Sequence, residues 1–193
     1  MKQSIQLSDH FTYGRLLRFT LPSIGMMIFT SIYGVVDGFF VSNFAGKTAF
    51  AAINLIMPLL MIFSTVGFMF GTGGSALVAK TLGEGDKEKA NRYFSLFVYV
   101  CAALGIVFTV IGMFIAPPVA GALGAEGQML HDAVLYSRII LAALPFGVLQ
   151  LLFQSFMITA EKPMLGLWVT VSSGVTNMVM DAVLVTLLPQ EWK

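Results

Sequence analysis

The sequence predicts an all-α membrane protein, a polytopic bundle of about five transmembrane helices. Its 193 residues are 57% hydrophobic and only 11% charged, whereas a soluble domain is about 45–50% apolar and about 25% charged. The mean hydropathy of +0.85 agrees with a membrane protein. Five apolar segments are also long enough to be membrane helices, since a bilayer core of ~30 Å needs ~20 residues at a rise of ~1.5 Å each.

The five predicted spans follow one another with short polar connections between them. They cover about residues 16–42, 49–79, 93–116, 133–160 and 164–188. The first resembles a secretory signal, because Lys2, Arg15 and Arg18 precede it, but its apolar run continues to about Val41. A signal core has only ~7–15 apolar residues and a small-residue cleavage site after it. We therefore expect a retained membrane helix.

The middle spans contain features that a membrane helix tolerates. Pro145 lies inside span four, where neighbouring helices can satisfy the backbone groups that proline frees. The segment "GTGGSA", residues 71–76, fits a dinucleotide-binding pattern, but it lies inside span two and no strand precedes it. Gly67 and Gly71 are instead spaced for close helix contact. Cys101, the single cysteine, lies among apolar residues and is expected to be buried.

Basic residues assign the orientation, because Lys and Arg are retained on the cytoplasmic side of a membrane. With the amino terminus inside, eight of the 11 basic residues face the cytoplasm: Lys2, Arg15, Arg18, Lys80, Lys87, Lys89, Arg92 and Lys162. The opposite side holds Lys47 and Lys193, and Arg138 lies a few residues inside span four. We expect a multi-pass protein of the plasma membrane, embedded in the lipid bilayer, with a cytoplasmic amino terminus.

Two acidic residues, Asp37 and Asp181, lie within predicted spans, while the other eight of the 10 fall in tails or loops. An ionised side chain at the middle of a bilayer costs at least ~2.5–3.5 kcal/mol, so such residues generally face a cavity and have a function there. The alternative is that each carboxyl group only hydrogen-bonds to a neighbouring helix and fixes its packing.

Three of the predicted helices collect polar residues on one face, at spacings of three and four residues in spans one and five and on one stripe that includes Gly147 in span four. These residues are Thr30, Tyr33 and Asp37 in span one, Tyr136, Gly147, Gln150 and Gln154 in span four, and Thr170, Ser173, Asn177 and Asp181 in span five. Three such stripes predict a shared polar cavity. Its oxygen ligands suit a hard cation such as Na⁺, and its two carboxylates could instead take up a proton.

Several classes of function are excluded by composition and motifs. A net charge of +1 gives no sign of a nucleic-acid partner. His10 and His131 stand alone in predicted loops without other metal ligands. The sequence has no H-E-x-x-H, G-x-S-x-G or P-loop motif, so we expect no enzyme and no cofactor beyond a coupling ion.

Five segments resemble a known family in order along the chain. "PSIGMMIFTSIYGVVDGFFVSNFAG", "AAINLIMPLL", "GTGGSALVAKTLGEGDKEKANRYF", "YSRIILAALPF" and "TNMVMDAVLV" are similar to multidrug and toxic compound extrusion (MATE) transporters. This resemblance implies a cation-coupled antiporter that exports organic cations or drugs in exchange for Na⁺ or H⁺. It also implies that the single transmembrane domain, residues 1–193, is an incomplete six-helix lobe, the truncated amino-terminal part of a longer transporter.

The resemblance assigns roles to individual residues. Asp37, Asn177 and Asp181 match the family's cation-binding or proton-binding positions, and Tyr136 matches a tyrosine that supports them by hydrogen bonding. Gln150 and Gln154 are expected to line the substrate cavity on helical spacing alone. Two alternatives are a flippase for lipid-linked saccharides and a non-transporting membrane scaffold or interaction fragment. Because alternating access needs two repeats, transport is expected to require a carboxyl-terminal lobe.

Overall fold

A computed structural model describes residues 12–187 as five long helices, with no strand in that range. The helices are α1 (Tyr13–Phe40), α2 (Lys47–Gly83), α3 (Lys87–Ala122), α4 (Gly127–Thr159) and α5 (Pro163–Leu187). A π-helical turn, Val41–Ala45, follows α1. All five helices are long and apolar enough to cross a membrane. The predicted all-α membrane fold is therefore confirmed.

The helices are longer than the predicted spans, because hydropathy marks the bilayer core and local capping sets the helix end. Helix α3 begins where Asp86 Oδ1 accepts a hydrogen bond from the Lys89 amide at 3.0 Å, six residues before the predicted start at 93. It then continues through Pro117 and Pro118, which the sequence placed in a connection.

His131 was expected in a loop, and that prediction was wrong. It lies in the second turn of α4, because the connection between α3 and α4 is limited to residues 123–126. Gly124 closes α3 with φ +92°, a backbone conformation that favours glycine. His10 and Lys193, together with the end of the fifth predicted span at 188, lie outside the described residues.

Contacts divide the chain into two compact units, which we describe separately. The first unit contains α1 with the start of α2, up to Phe50, and α5 with the turn before it, from Ala160. The second unit, Ala51–Thr159, contains the rest of α2 together with α3 and α4. The prediction of a single domain over the whole chain stays a prediction.

In the first unit α1 and α5 pack side by side in parallel. At one level a Cβ on Gly25 would lie 3.4 Å from Leu167 Cδ1. About two turns further along both helices, a Cβ on Gly174 would lie 2.5 Å from Phe29 Cε1 and 3.0 Å from Tyr33 Cδ1. The two contacts advance together along both chains, which fixes the parallel direction. Gly174 thus lies directly against two aromatic rings of α1.

In the second unit glycine faces bring the helices together. A Cβ on Gly67 of α2 would lie 2.5 Å from the carbonyl oxygen of Val148 in α4, and one on Gly71 would lie 2.8 Å from Ser155 Oγ. The close helix contact predicted for these two glycines is therefore confirmed. Cys101 of α3 is fully buried, as expected. Membrane helices associate through such close packing because lipid tails provide no hydrophobic drive between them.

We predict that Gly67→Ala destabilises the protein, because the new Cβ would meet the Val148 backbone, which cannot move aside independently of α4. Overpacking costs typically ~1–3 kcal/mol. Gly73→Ala in the same helix is the matched control, since nothing lies within 4 Å of its Cβ, and alanine is the better helix former by ~1 kcal/mol. Thermal unfolding in detergent should show a lower midpoint for the first variant only. Equal midpoints would contradict the close contact.

We also predict that Gly174→Ala weakens the α1–α5 pair, because its Cβ would overlap the Phe29 ring. The ring can rotate away, so the expected loss is smaller than at Gly67, roughly 1 kcal/mol. Gly34→Ala in α1 is the control, with open space around its Cβ. Cysteine crosslinking between α1 and α5 should slow in the Gly174 variant and not in the control. An unchanged rate in both would count against this packing.

Candidate functional site

The structure brings Asp37 and Asp181 together across the α1–α5 interface. Asp37 lies three residues before Phe40, the last residue of α1. The carboxyl groups interact directly, at a separation that allows a hydrogen bond when one of them carries a proton. The parallel packing of α1 and α5 explains the pairing, because residues 29–33 and 174 meet two turns earlier on the same faces.

The two carboxyl groups of this acid pair differ in exposure and in hydrogen bonding. Asp181 is half-buried, and its Oδ2 atom is buried without a hydrogen-bond partner among the residues that the structure describes. Asp37 is the more exposed of the two. Two ionised carboxylates are both acceptors and repel each other, so a hydrogen bond between them requires a proton on one. The alternative way to join them is a cation held between their oxygens.

Aromatic residues of α1 pack against α5 one to two turns before the acid pair. Tyr33 lies one turn before Asp37, and its ring centre is 6.3 Å from that of Phe29. Both rings lie against Gly174, which is two turns before Asp181. Neither Gly174 nor Phe29 was predicted as a site residue. A signal existed for the glycine, because a residue seven before Asp181 shares its helix face.

A π-helical turn begins at Val41, four residues after Asp37. The Val41 amide donates to the carbonyls of both Asp37 and Gly38, and Asn43 Nδ2 donates to the Phe39 carbonyl at 2.8 Å. Such turns are rare and occur frequently at functional sites. It was not predicted from the sequence, since neither Gly nor Pro stands at Val41, where the wider turn begins.

The remaining residues of the predicted stripes have mixed exposure. Asn177 lies one turn before Asp181 and is exposed, as is Ser173, while Thr170 is half-buried. In α1, Thr30 is exposed and Tyr33 is half-buried.

Helix α4 carries the other predicted site residues and belongs to the second unit. Tyr136 and Gln154 are half-buried, and Gln150 is exposed. These residues do lie on one helix at the expected spacing. Their approach to the acid pair stays a prediction, as does the shared cavity.

The chain matches the MatE family over residues 22–183, a range that includes both acids of the pair. It is 24% identical over 170 residues to the multidrug export protein MepA of Staphylococcus saprophyticus and 25% identical over 170 residues to that of Staphylococcus aureus. Each alignment covers 88% of this chain and 38% of the relative. The chain thus spans less than half the length of these curated relatives.

Solved structures show the same fold. A MATE protein in complex with MaD5 superimposes with a TM-score of 0.84 at 24% identity, covering 89% of this chain and 39% of that one. A Pyrococcus furiosus transporter of the MOP superfamily, whose binding pocket is described as having reverse polarity that suggests a different function, gives 0.83 at 24%, covering 89% and 38%. Family members are transporters rather than enzymes. From the match over most of its length, this chain belongs to the MatE family of multi-pass membrane transporters.

Proposed function

We propose that this chain is the amino-terminal part of a cation-coupled antiporter that exports organic cations or drugs across the plasma membrane. The observation that supports it is the acid pair, Asp37 against Asp181, with an acceptor atom of Asp181 that has no partner among the described residues. Two carboxylates within a membrane need a positive charge to offset them. A site that needs a cation, and can exchange it, is what coupling requires.

Each residue has a role in this proposal. Asp37 and Asp181 bind the coupling ion, which is a proton shared between them or a Na⁺ ion. Asn177, on the same face of α5 as Asp181, supplies a further oxygen ligand. Among the described residues, no three Asp, Glu, His or Cys side chains lie together in a way that could hold a metal ion.

The substrate is proposed to bind along α4. Tyr136 is proposed to act by hydrogen bonding, and Gln150 and Gln154 to line the substrate cavity. An aromatic face such as that of Tyr136 also attracts a flat organic cation. The names of the staphylococcal relatives, multidrug export proteins, agree with such substrates.

The fold alone does not determine the polarity of the binding pocket, because the Pyrococcus furiosus transporter has the same fold and a pocket described as having reverse polarity. Arg138, exposed on α4, is the basic residue that lies well inside the described spans. Flippases for lipid-linked saccharides tend to present several basic groups to the cavity. The acid pair therefore favours a cationic substrate over a saccharide diphosphate.

Transport is proposed to depend on a second lobe. The chain covers 38% of its MepA relatives, and alternating access moves one repeat against another. In this arrangement the amino terminus is cytoplasmic, since the basic residues predominate on that side.

We predict that Asp181→Asn in the complete transporter lowers dye efflux at least ~10-fold, because the pair then carries one negative charge instead of two and attracts the coupling cation less strongly. Asp181→Glu keeps the charge and should retain part of the activity. Glu88→Gln is the control: it removes an exposed carboxylate paired with Arg92 at 2.7 Å, a contact worth ~0–1 kcal/mol. Cellular dye accumulation and membrane expression level are measured together. Unchanged efflux in a well-expressed Asp181→Asn variant would contradict the proposal.

A second prediction concerns the energy source. Proteoliposomes of the complete transporter, loaded with dye and free of ATP, should export it when given an oppositely directed Na⁺ gradient or proton gradient, and not when given neither. The gradient that drives export identifies the coupling ion. Combining Asp37→Asn with Asp181→Asn should abolish export under that gradient, because the site then has no negative charge to attract an ion. Export that requires ATP and ignores both gradients would refute coupling.

A further inference from the structure

Pro145 interrupts the hydrogen bonding inside α4. Proline has no backbone N–H, so the carbonyl four residues earlier, that of Leu141, loses its helical donor. The structure places a substitute donor from another helix at that carbonyl. Thr109 Oγ1 of α3 donates to the Leu141 oxygen at 2.7 Å. In a lipid environment this replacement matters, because water is absent to satisfy the freed oxygen.

Thr109 has a second acceptor within reach, the Gly105 carbonyl of its own helix at 2.9 Å. A hydroxyl has one hydrogen, so the two acceptors compete for it. The Leu141 oxygen is the nearer one. It also lacks the amide donor that a helical carbonyl normally has, whereas the Gly105 oxygen already faces the amide of Thr109. The bond between helices is therefore the stronger of the two.

The face of α3 around Thr109 is shaped to fit this part of α4. A Cβ on Gly105 would lie 2.8 Å from Pro145 Cα, and one on Gly112 would lie 2.6 Å from Leu141 Cδ2. Gly105, Thr109 and Gly112 follow at spacings of four and three, so they share one helix face. The two glycines let the helices approach closely, and the hydroxyl between them reaches the freed carbonyl.

We propose that Thr109 is a positioning residue that holds the backbone of α4 at Pro145, where proline favours a bend. Pro145 separates the part of α4 that carries Tyr136 from the part that carries Gln150 and Gln154. By fixing the angle at the proline, Thr109 aligns the two parts of the stripe that contact the substrate. This last step rests on the proposed function, whereas the hydrogen bond and its effect on α4 do not.

The experiment compares three variants of the complete transporter in nanodiscs. Thr109→Val removes the hydroxyl at similar shape, and Thr109→Ser retains it. Thr65→Val is the matched control, because Thr65 Oγ1 bonds to Met61 of its own helix at 2.8 Å. Hydrogen exchange of the amides in residues 141–149 should be on the order of three- to tenfold faster in Thr109→Val, and at the wild-type rate in the other two. Wild-type exchange in Thr109→Val, or equal acceleration in Thr65→Val, overturns the proposal.

Replacing the proline separates the hydrogen bond from side-chain packing. In a Pro145→Ala background residue 145 has an amide that can bond to the Leu141 carbonyl, so Thr109→Val should no longer accelerate exchange. An equal acceleration with and without Pro145 overturns the proposal, because the effect would then come from packing alone.

Dye transport tests the consequence for the substrate stripe. The apparent KM should rise several-fold in Thr109→Val with a smaller change in maximal rate, and Thr109→Ser should restore it. Faster exchange with an unchanged KM overturns the positioning role. A wild-type protein that transports no dye at all refutes the proposed function, and the exchange measurements still decide whether Thr109 holds the bend.

Discussion

The repulsion between Asp37 and Asp181 is the constraint around which the first unit is organised. In a medium of low polarity two unneutralised carboxylates cost far more than in water. The structure nevertheless turns them toward each other, and Gly174 with the Phe29 and Tyr33 rings sets how closely α1 and α5 approach below them. Tight packing beneath an unfavourable charge pair holds the two helices together at this level, and binding a positive charge is the relief that we propose for the pair.

In the second unit the constraint is different: the backbone hydrogen bonds of long helices that contain proline must be satisfied. Glycines of α2 and α3 allow main chains to approach where larger side chains would hold them apart. Where Pro145 leaves the Leu141 carbonyl without its donor, Thr109 supplies one from the neighbouring helix. The close approach and the substitute hydrogen bond occur on the same face of α3. The packing of α3 on α4 and the backbone conformation of α4 at Pro145 therefore depend on each other.

Much of the fold follows from sequence, because a membrane helix must satisfy its backbone internally and remain apolar for ~20 residues. That rule predicts five spans and places both acids within them. It does not predict helix ends, because these depend on local groups such as the Asp86 cap. His131 was placed in a loop for this reason, since α4 begins at Gly127, before the predicted start of span four. The pairing of Asp37 with Asp181 was expected from shared faces, but the register that Gly174 sets depends on which helices are neighbours. The π-helical turn left no compositional trace.

The parallel direction of α1 and α5 has an electrostatic consequence of its own. Peptide dipoles align along each helix and give its carboxyl end a partial negative charge of about half an electron. In parallel helices these poles add on the same side instead of cancelling, and here that side is where the acids lie. Neither helix has a basic residue in the last turn that the structure describes. The main chain thus favours a cation over an anion at the carboxyl ends of these two helices, in the same direction as the acid pair.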